Sequence, residues 1–97
     1  MVDKYLLMLK ELVLDEFKRD AVKIVLFGSR ARKDNSFRSD IDIGLIPAGD
    51  FDAIRISVLR EKVEGLNIPY KIDIVNLNET SEDFRKQALK GALIWKD

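Results

Sequence analysis

The chain contains neither cysteine nor histidine. Without thiols there is no disulfide framework and no sulfur nucleophile; without imidazole the usual general base and the usual structural zinc ligands are gone as well. Any catalysis must therefore run on carboxylates, serine, lysine, arginine or tyrosine. An excess of charge of one sign is also missing, since 17 acidic residues balance 17 basic ones. No global positive field is available to grip a nucleic acid or an anionic membrane, so binding has to come from a local patch. This argues against direct nucleic-acid binding. No apolar run approaches the roughly 20 residues of a membrane span, and Asp3 and Lys4 precede an amphipathic rather than a signal-like segment. A cytoplasmic protein without membrane contact is the expectation. The glycine patterns of P-loop and dinucleotide-binding proteins are absent too.

What remains is 97 residues, enough for one core but too few for a second folded unit. A single domain over residues 1–97 is expected, with any acceptor substrate held mostly by another molecule. Leu6, Leu9, Val13 and Phe17 recur at helical spacing and predict a core-facing helix over residues 3–19. Val22 to Phe27 is short, β-branched and nearly all apolar, as a central strand buried on both faces would be. Gly28 ends it at a sharp turn, and Ser29 is placed to cap a short helix through Arg30, Ala31, Arg32 and Lys33. A second strand is expected from Ser39 to Ile46, weakened by Gly44 unless a bulge or a close approach requires the glycine there. Asp50 is the expected cap of a helix with Ile56, Leu59, Val63 and Leu66 on one side, ended by Gly65 and Pro69. Tyr70 to Val75 alternates as a third strand. Thr80, with Asp83 in the capping-box position, opens a last helix that Gly91 stops, and the apolar tail from Ala92 to Trp95 can pack back or add an edge strand.

The chemistry concentrates in three carboxylates. Strand residues two apart share a face, so Asp40 and Asp42 point one way while Ile41, Ile43 and Leu45 point the other. Asp73, thirty-one residues after Asp42, alternates out of the third strand. If the three strands are neighbours, spaced about 4.8 Å, these charges repel by several kcal/mol at an effective dielectric of about 20. A cation or a raised pKa must offset that. Ligand sets made only of oxygen suit Mg²⁺ or Mn²⁺ rather than zinc. Two such ions bridged by Asp40 and Asp42, with a nucleoside triphosphate as further ligand, make an arrangement for in-line attack at phosphorus. Asp73 then completes one ion's site and is the candidate general base. Gly28 and Ser29 would hold the β- and γ-phosphates through backbone N–H groups and the Ser29 hydroxyl, with Arg30 supplying charge to a leaving pyrophosphate. Arg32, Lys33 and Arg38 either thicken this positive rim or form a solvated basic turn.

At these residues the chain resembles the minimal nucleotidyltransferase (MNT) family of the DNA polymerase β superfamily, whose pattern is GSRARG, a spacer and SDxDL. Gly28-Ser29-Arg30-Ala31-Arg32 and Ser39-Asp40-Ile41-Asp42-Ile43 match it, Asp73 falls where a third carboxylate is expected, and Lys33 stands where glycine is usual. The resemblance implies an α/β (α+β) polymerase β-like fold, a mixed sheet of three or more strands with helices on one side. It places Ser39 with Gly28, Ser29 and Arg30 among the nucleotide-binding positions. It also implies magnesium-dependent transfer of AMP from ATP, with two Mg²⁺ ions that Mn²⁺ can replace. Many family members are antitoxins that form a complex with a helical HEPN ribonuclease toxin and in some cases adenylylate it. The alternatives are an antitoxin that binds nucleotide without turning it over, and transfer to a small molecule or an RNA end. The residues leave the acceptor, the base preference and a homo- or hetero-oligomeric state open.

Overall fold

The computed structural model describes residues 3–32 and 40–97, and of Ser29 and Arg32 it describes the backbone. The described elements are α1 (Lys4–Glu16), β1 (Val22–Phe27), α2 (Ser29–Arg32), β2 (Ile41–Pro47), α3 (Ile54–Glu64), β3 (Ile72–Asn76), a single 3₁₀ turn at Leu77–Glu79, α4 (Glu82–Leu89) and β4 (Leu93–Lys96). The four strands form one mixed sheet in the order β3-β2-β1-β4. β1 runs antiparallel to β2 and to β4, while β2 and β3 are parallel. The apolar tail therefore becomes an edge strand beside β1. Among the described residues no helix is long and apolar enough to cross a membrane.

Strand alternation divides the molecule into two unequal cores. Val22, Ile24 and Leu26 of β1 and Ile41, Ile43 and Leu45 of β2 share one face with Leu9, Val13 and Phe17 of α1 and Ile56, Leu59 and Val63 of α3. Each such side chain, fully buried, stabilises the fold by about 1.5–3 kcal/mol relative to exposure. On the other face, among the described residues, Val25 and Phe27 have Leu77 and Ala88 as buried partners, flanked by Ile46, Val75, Leu89 and Ala92. Here α4 covers the sheet, so the helices lie on both sides rather than on one. The reason is the chain's own alternation: Val25 and Phe27 leave apolar surface on the second face that something must cover.

Gly44 owes its place to close packing. Its strand stays in register, Gly44 opposite Val25, and a Cβ at this position would sit 2.6 Å from Leu77 Cδ1 and 3.0 Å from Val25 Cγ2. The strand and helix ends depart from expectation where several capping residues adjoin. Helix α3 begins four residues beyond Asp50, and Asp52 rather than Asp50 accepts the Ile54 N–H, at 3.0 Å. Ser81, not Thr80, caps α4 by accepting the Phe84 N–H at 3.1 Å, while the Thr80 hydroxyl donates to Leu77 O. After α3, the left-handed residue is Asn67 (φ 53°) and Gly65 remains right-handed. Two charged links then fasten α3 to the end of α1: Arg55 donates to Asp20 at 2.8 Å and to Glu16 O at 3.2 Å, and Lys62 pairs with Glu16 at 2.6 Å.

Candidate active site

Three strand ends meet on the thinner face. β2 lies between β1 and β3, as the convergence of the carboxylates requires. Asp42 is the cross-strand partner of Phe27 on one side and of Asp73 on the other. Cross-strand partners project to the same face, and their neighbours confirm which face it is. Ile41 with Ile72 and Ile43 with Ile74 pack into the larger core, so Asp42 and Asp73 point toward α4. Asp40, exposed just before β2, stands two residues away from Asp42.

The electrostatics of Asp42 reflect this crowding. Burial first, then the charges of Asp73 and Asp40, push its carboxyl above the usual carboxylate range, with Lys71 acting in the opposite sense. A carboxyl raised in this way is poised to exchange its proton for a metal ion, because a dication removes both the desolvation cost and the repulsion. The donor set of carboxylate oxygens without nitrogen or sulfur suits Mg²⁺. Among the described residues no three of these side chains already stand together as a ready-made metal-ligand group. What the fold supplies is two carboxylates in register on one face, with a third charge close enough to be felt.

Gly28 closes the other side of the site. It turns the chain with φ 79°, a region that side chains disfavour, and a Cβ on it would collide with Asp42 Oδ2. Both reasons demand glycine. Beyond it, Ala31 N–H donates to Gly28 O at 3.2 Å and opens the turn of α2. Helix α2 thus starts at Ser29 itself, one residue before the expected helix. The Ser29 hydroxyl, the Arg32 side chain, Lys33, Arg38 and Ser39 lie outside the described residues.

Arg30 is anchored beside the turn that Gly28 makes. Its guanidinium donates to Asp3 Oδ2 at 2.9 Å and sits 4.4 Å from the ring centre of Tyr70, with its side chain only 9% exposed. Tyr70 in turn meets Tyr5 edge-on at 5.8 Å. Asp3 also caps α1, accepting from Tyr5 N–H and Leu6 N–H. Burial alone would raise the Asp3 carboxyl, but the hydrogen bonds from Arg30, Leu6 and Tyr5 and the Arg30 charge outweigh it and hold the group below its usual range. Arg30 therefore ties the turn after Gly28 to the start of α1 and to the approach to β3. Sequence reading missed Asp3, Tyr70 and Lys71 as neighbours of the site; the one signal was their charge or ring, and nothing local pairs residues 27 apart, as Asp3 and Arg30 are.

Comparison with known proteins identifies relatives of the fold and the family. A Haemophilus influenzae protein named "Probable protein adenylyltransferase MntA" is 32% identical over 60 residues, 62% of this chain and 53% of that protein. The chain thus spans about half the length of this curated relative. A solved structure named "Structure of putative minimal nucleotidyltransferase" superposes with a TM-score of 0.72 at 26% identity, covering 93% of this chain and 92% of that one. Chains from a toxin–antitoxin crystal structure with AMP-PNP (TM-score 0.67, 22% identity, 89% of this chain and 71% of that one) and from a tri-AMPylated Shewanella oneidensis HEPN toxin in complex with MNT antitoxin (0.63, 22%, 92% and 70%) share the fold. The family model described as "Polymerase beta, Nucleotidyltransferase" matches residues 11–97, and with the sheet order and paired carboxylates this places the chain within the polymerase β nucleotidyltransferase family.

Proposed function

We propose that the chain works as one nucleotidyltransferase domain over residues 1–97, moving AMP from ATP to a hydroxyl of a partner protein. The partner proposed is a helical HEPN toxin, with this chain as its antitoxin in the cytoplasm. The observation that carries the reading is the register of Asp42 and Asp73 on parallel neighbours, set against Gly28. The named relatives support the acceptor class, since one is named as a protein adenylyltransferase and another structure contains an AMPylated toxin.

Asp42 and Asp73, with Asp40, would hold two Mg²⁺ ions. When bound, the metal neutralises the phosphate charge and lowers the pKa of the attacking hydroxyl. Every other part falls to the chain itself. Gly28 lets the backbone approach without a side chain in the way, so that the N–H groups at Gly28 and Ser29 can donate to the β- and γ-phosphates. Arg30, fixed by Asp3 and Tyr70, holds that turn in place. In the transfer the acceptor oxygen bonds to the α-phosphorus, the bond from that phosphorus to pyrophosphate breaks, and the acceptor proton passes to the Asp73 carboxylate. Neither histidine nor cysteine is present to take it.

The test is to incubate the chain with ATP labelled at the α-phosphorus, Mg²⁺ and the product of the neighbouring gene, which the reading expects to be a HEPN protein. Label should appear on a partner hydroxyl, and chelation of the metal should abolish it. A correctly folded complex that never labels would refute the reading, and neutralisation without labelling would make the chain a binding antitoxin instead.

A further inference from the structure

The face that carries the carboxylates has a second feature, which phosphate and metal chemistry leave unused. Phe27, Gly28, Phe84, Gln87 and Ala88 line an open hollow of about 180 Å³. Its walls come from the end of β1 and from one side of α4, where residues 84, 87 and 88 fall together at helical spacing. Phe84 is 45% exposed, although it stands on the inward side of a short helix. It is also held in place, edge-on to Phe27 with ring centres 6.2 Å apart and planes at 87°. A perpendicular contact occupies at most one face of either ring. Phe84 therefore keeps a face open for a third planar group.

Gly28 belongs to both places: it lines the hollow, and it abuts the Asp42 carboxylate. Whatever fills the hollow is within a residue's width of the carboxylate pair. We propose that this hollow seats the base of the nucleotide, stacked on Phe84; this rests on the nucleotidyltransferase reading above. The lining suits a flat, mostly apolar group. Gln87 contributes the single polar side chain among the lining residues, and its amide can both donate and accept. The volume is below the 300–1,000 Å³ typical of drug-sized ligands and matches one ring system. Among planar groups the base has a particular advantage, because it arrives tethered to phosphates already held nearby and so meets the hollow at a high effective concentration. Stacking on an aromatic side chain accepts any base, since each has a π-face. Phe84 thus supplies affinity, with little choice among bases.

Base and phosphates can be separated experimentally. Dissociation constants for ATP and for inorganic tripolyphosphate, each with Mg²⁺, are measured on the full chain and on Phe84→Ala and Phe84→Leu. The unaltered chain should bind ATP about tenfold or more tightly than tripolyphosphate, an advantage within the usual strength of base–aromatic stacking. Both variants should lose most of that advantage and bind tripolyphosphate unchanged. Leucine keeps the apolar bulk and removes only the ring, so a purely structural role for Phe84 would be rescued by it. If the ratio of the two constants does not move in either variant, the hollow does not hold the base. The base is equally excluded from it if the ratio stays fixed while the variants raise KM for the protein acceptor. If the unaltered chain binds neither ligand, the nucleotidyltransferase reading falls as well.

Discussion

The two faces of the sheet are built from the same strands and do opposite work. Along β2, Ile41, Ile43 and Leu45 enter a core closed by α1 and α3, while Asp42 and Gly44 look toward a face that α4 covers only in part. The first face collects stability. The second carries groups that lower it: a crowded carboxyl pushed up in pKa, a glycine in each of two places where a side chain would clash, and a large exposed aromatic. Concentrating stability on one face lets the other hold chemistry that a uniformly packed protein of this size could not tolerate.

The contrast can be tested by substituting one face at a time. The largest effect expected is on activity: Asp42→Asn removes a carboxylate that would hold the metal and should abolish AMP transfer while leaving thermal stability unchanged or higher, read by the labelling assay beside a melting curve. Leu59→Ala on the opposite face should do the reverse. Leu59 is fully buried, so its truncation should cost about 2–5 kcal/mol of stability, and the fraction that stays folded should transfer at the normal rate. A Leu59→Ala protein that is fully folded yet inactive would break the division between faces.

A smaller effect is expected at Gly44. Its Cα looks toward Leu77 from the site-bearing face, and Gly44→Ala would crowd Leu77 and Val25. A loss of about 1–3 kcal/mol follows, measurable as a shift in the urea midpoint. No loss would mean that the thinner core yields more easily than its contacts imply.

The smallest effect is the dependence of stability on pH. The folded Asp42 binds its proton more tightly than the unfolded one, so from about pH 3.8 up to its raised pKa stability falls as pH rises. Asn at position 42 should remove that fall, and Mg²⁺ should offset it in the unaltered chain. Asp3 and Asp20 carry the opposite sign. Arg30 and backbone N–H groups lower the first against the effect of burial, and Arg55 lowers the second chiefly by its hydrogen bonds. Their contribution is present above about pH 3.8 and is lost as pH falls through their lowered pKa values. Urea midpoints across pH 3–7 for the two proteins would separate the opposing contributions.

How much of this was readable in the sequence depended on distance along the chain. The alternation of Ile and Asp in β2 and β3 is a local pattern that sets each carboxylate opposite its own strand's isoleucines, while the pairing that brings Asp42 beside Asp73 is not local. The central position of β1 followed from composition in the same way, whereas the apolar tail left packing back and an edge strand both open until its pairing with β1 decided for the strand. Caps were harder, because Asp50 and Asp52, or Thr80 and Ser81, are all competent, and packing makes the choice between them. Arg30 was legible as a cation and illegible as a link, since Asp3 and Tyr70 come from other parts of the chain. Gly44 needed Leu77, which arrives thirty-three residues later. The same holds for the hollow at Phe27 and Phe84, whose walls come from two elements that no spacing relates.

Parallel neighbours such as β2 and β3 cannot be joined by a tight turn; the chain must travel over the sheet and return, and here it does so through α3. Asp42 and Asp73 are therefore strangers until that excursion has docked. A chain caught with the loop undone, whether newly made or half melted, has both carboxylates but not side by side. The carboxylate pair is thus itself a product of completed folding: only a chain that has closed the crossover sets Asp42 beside Asp73.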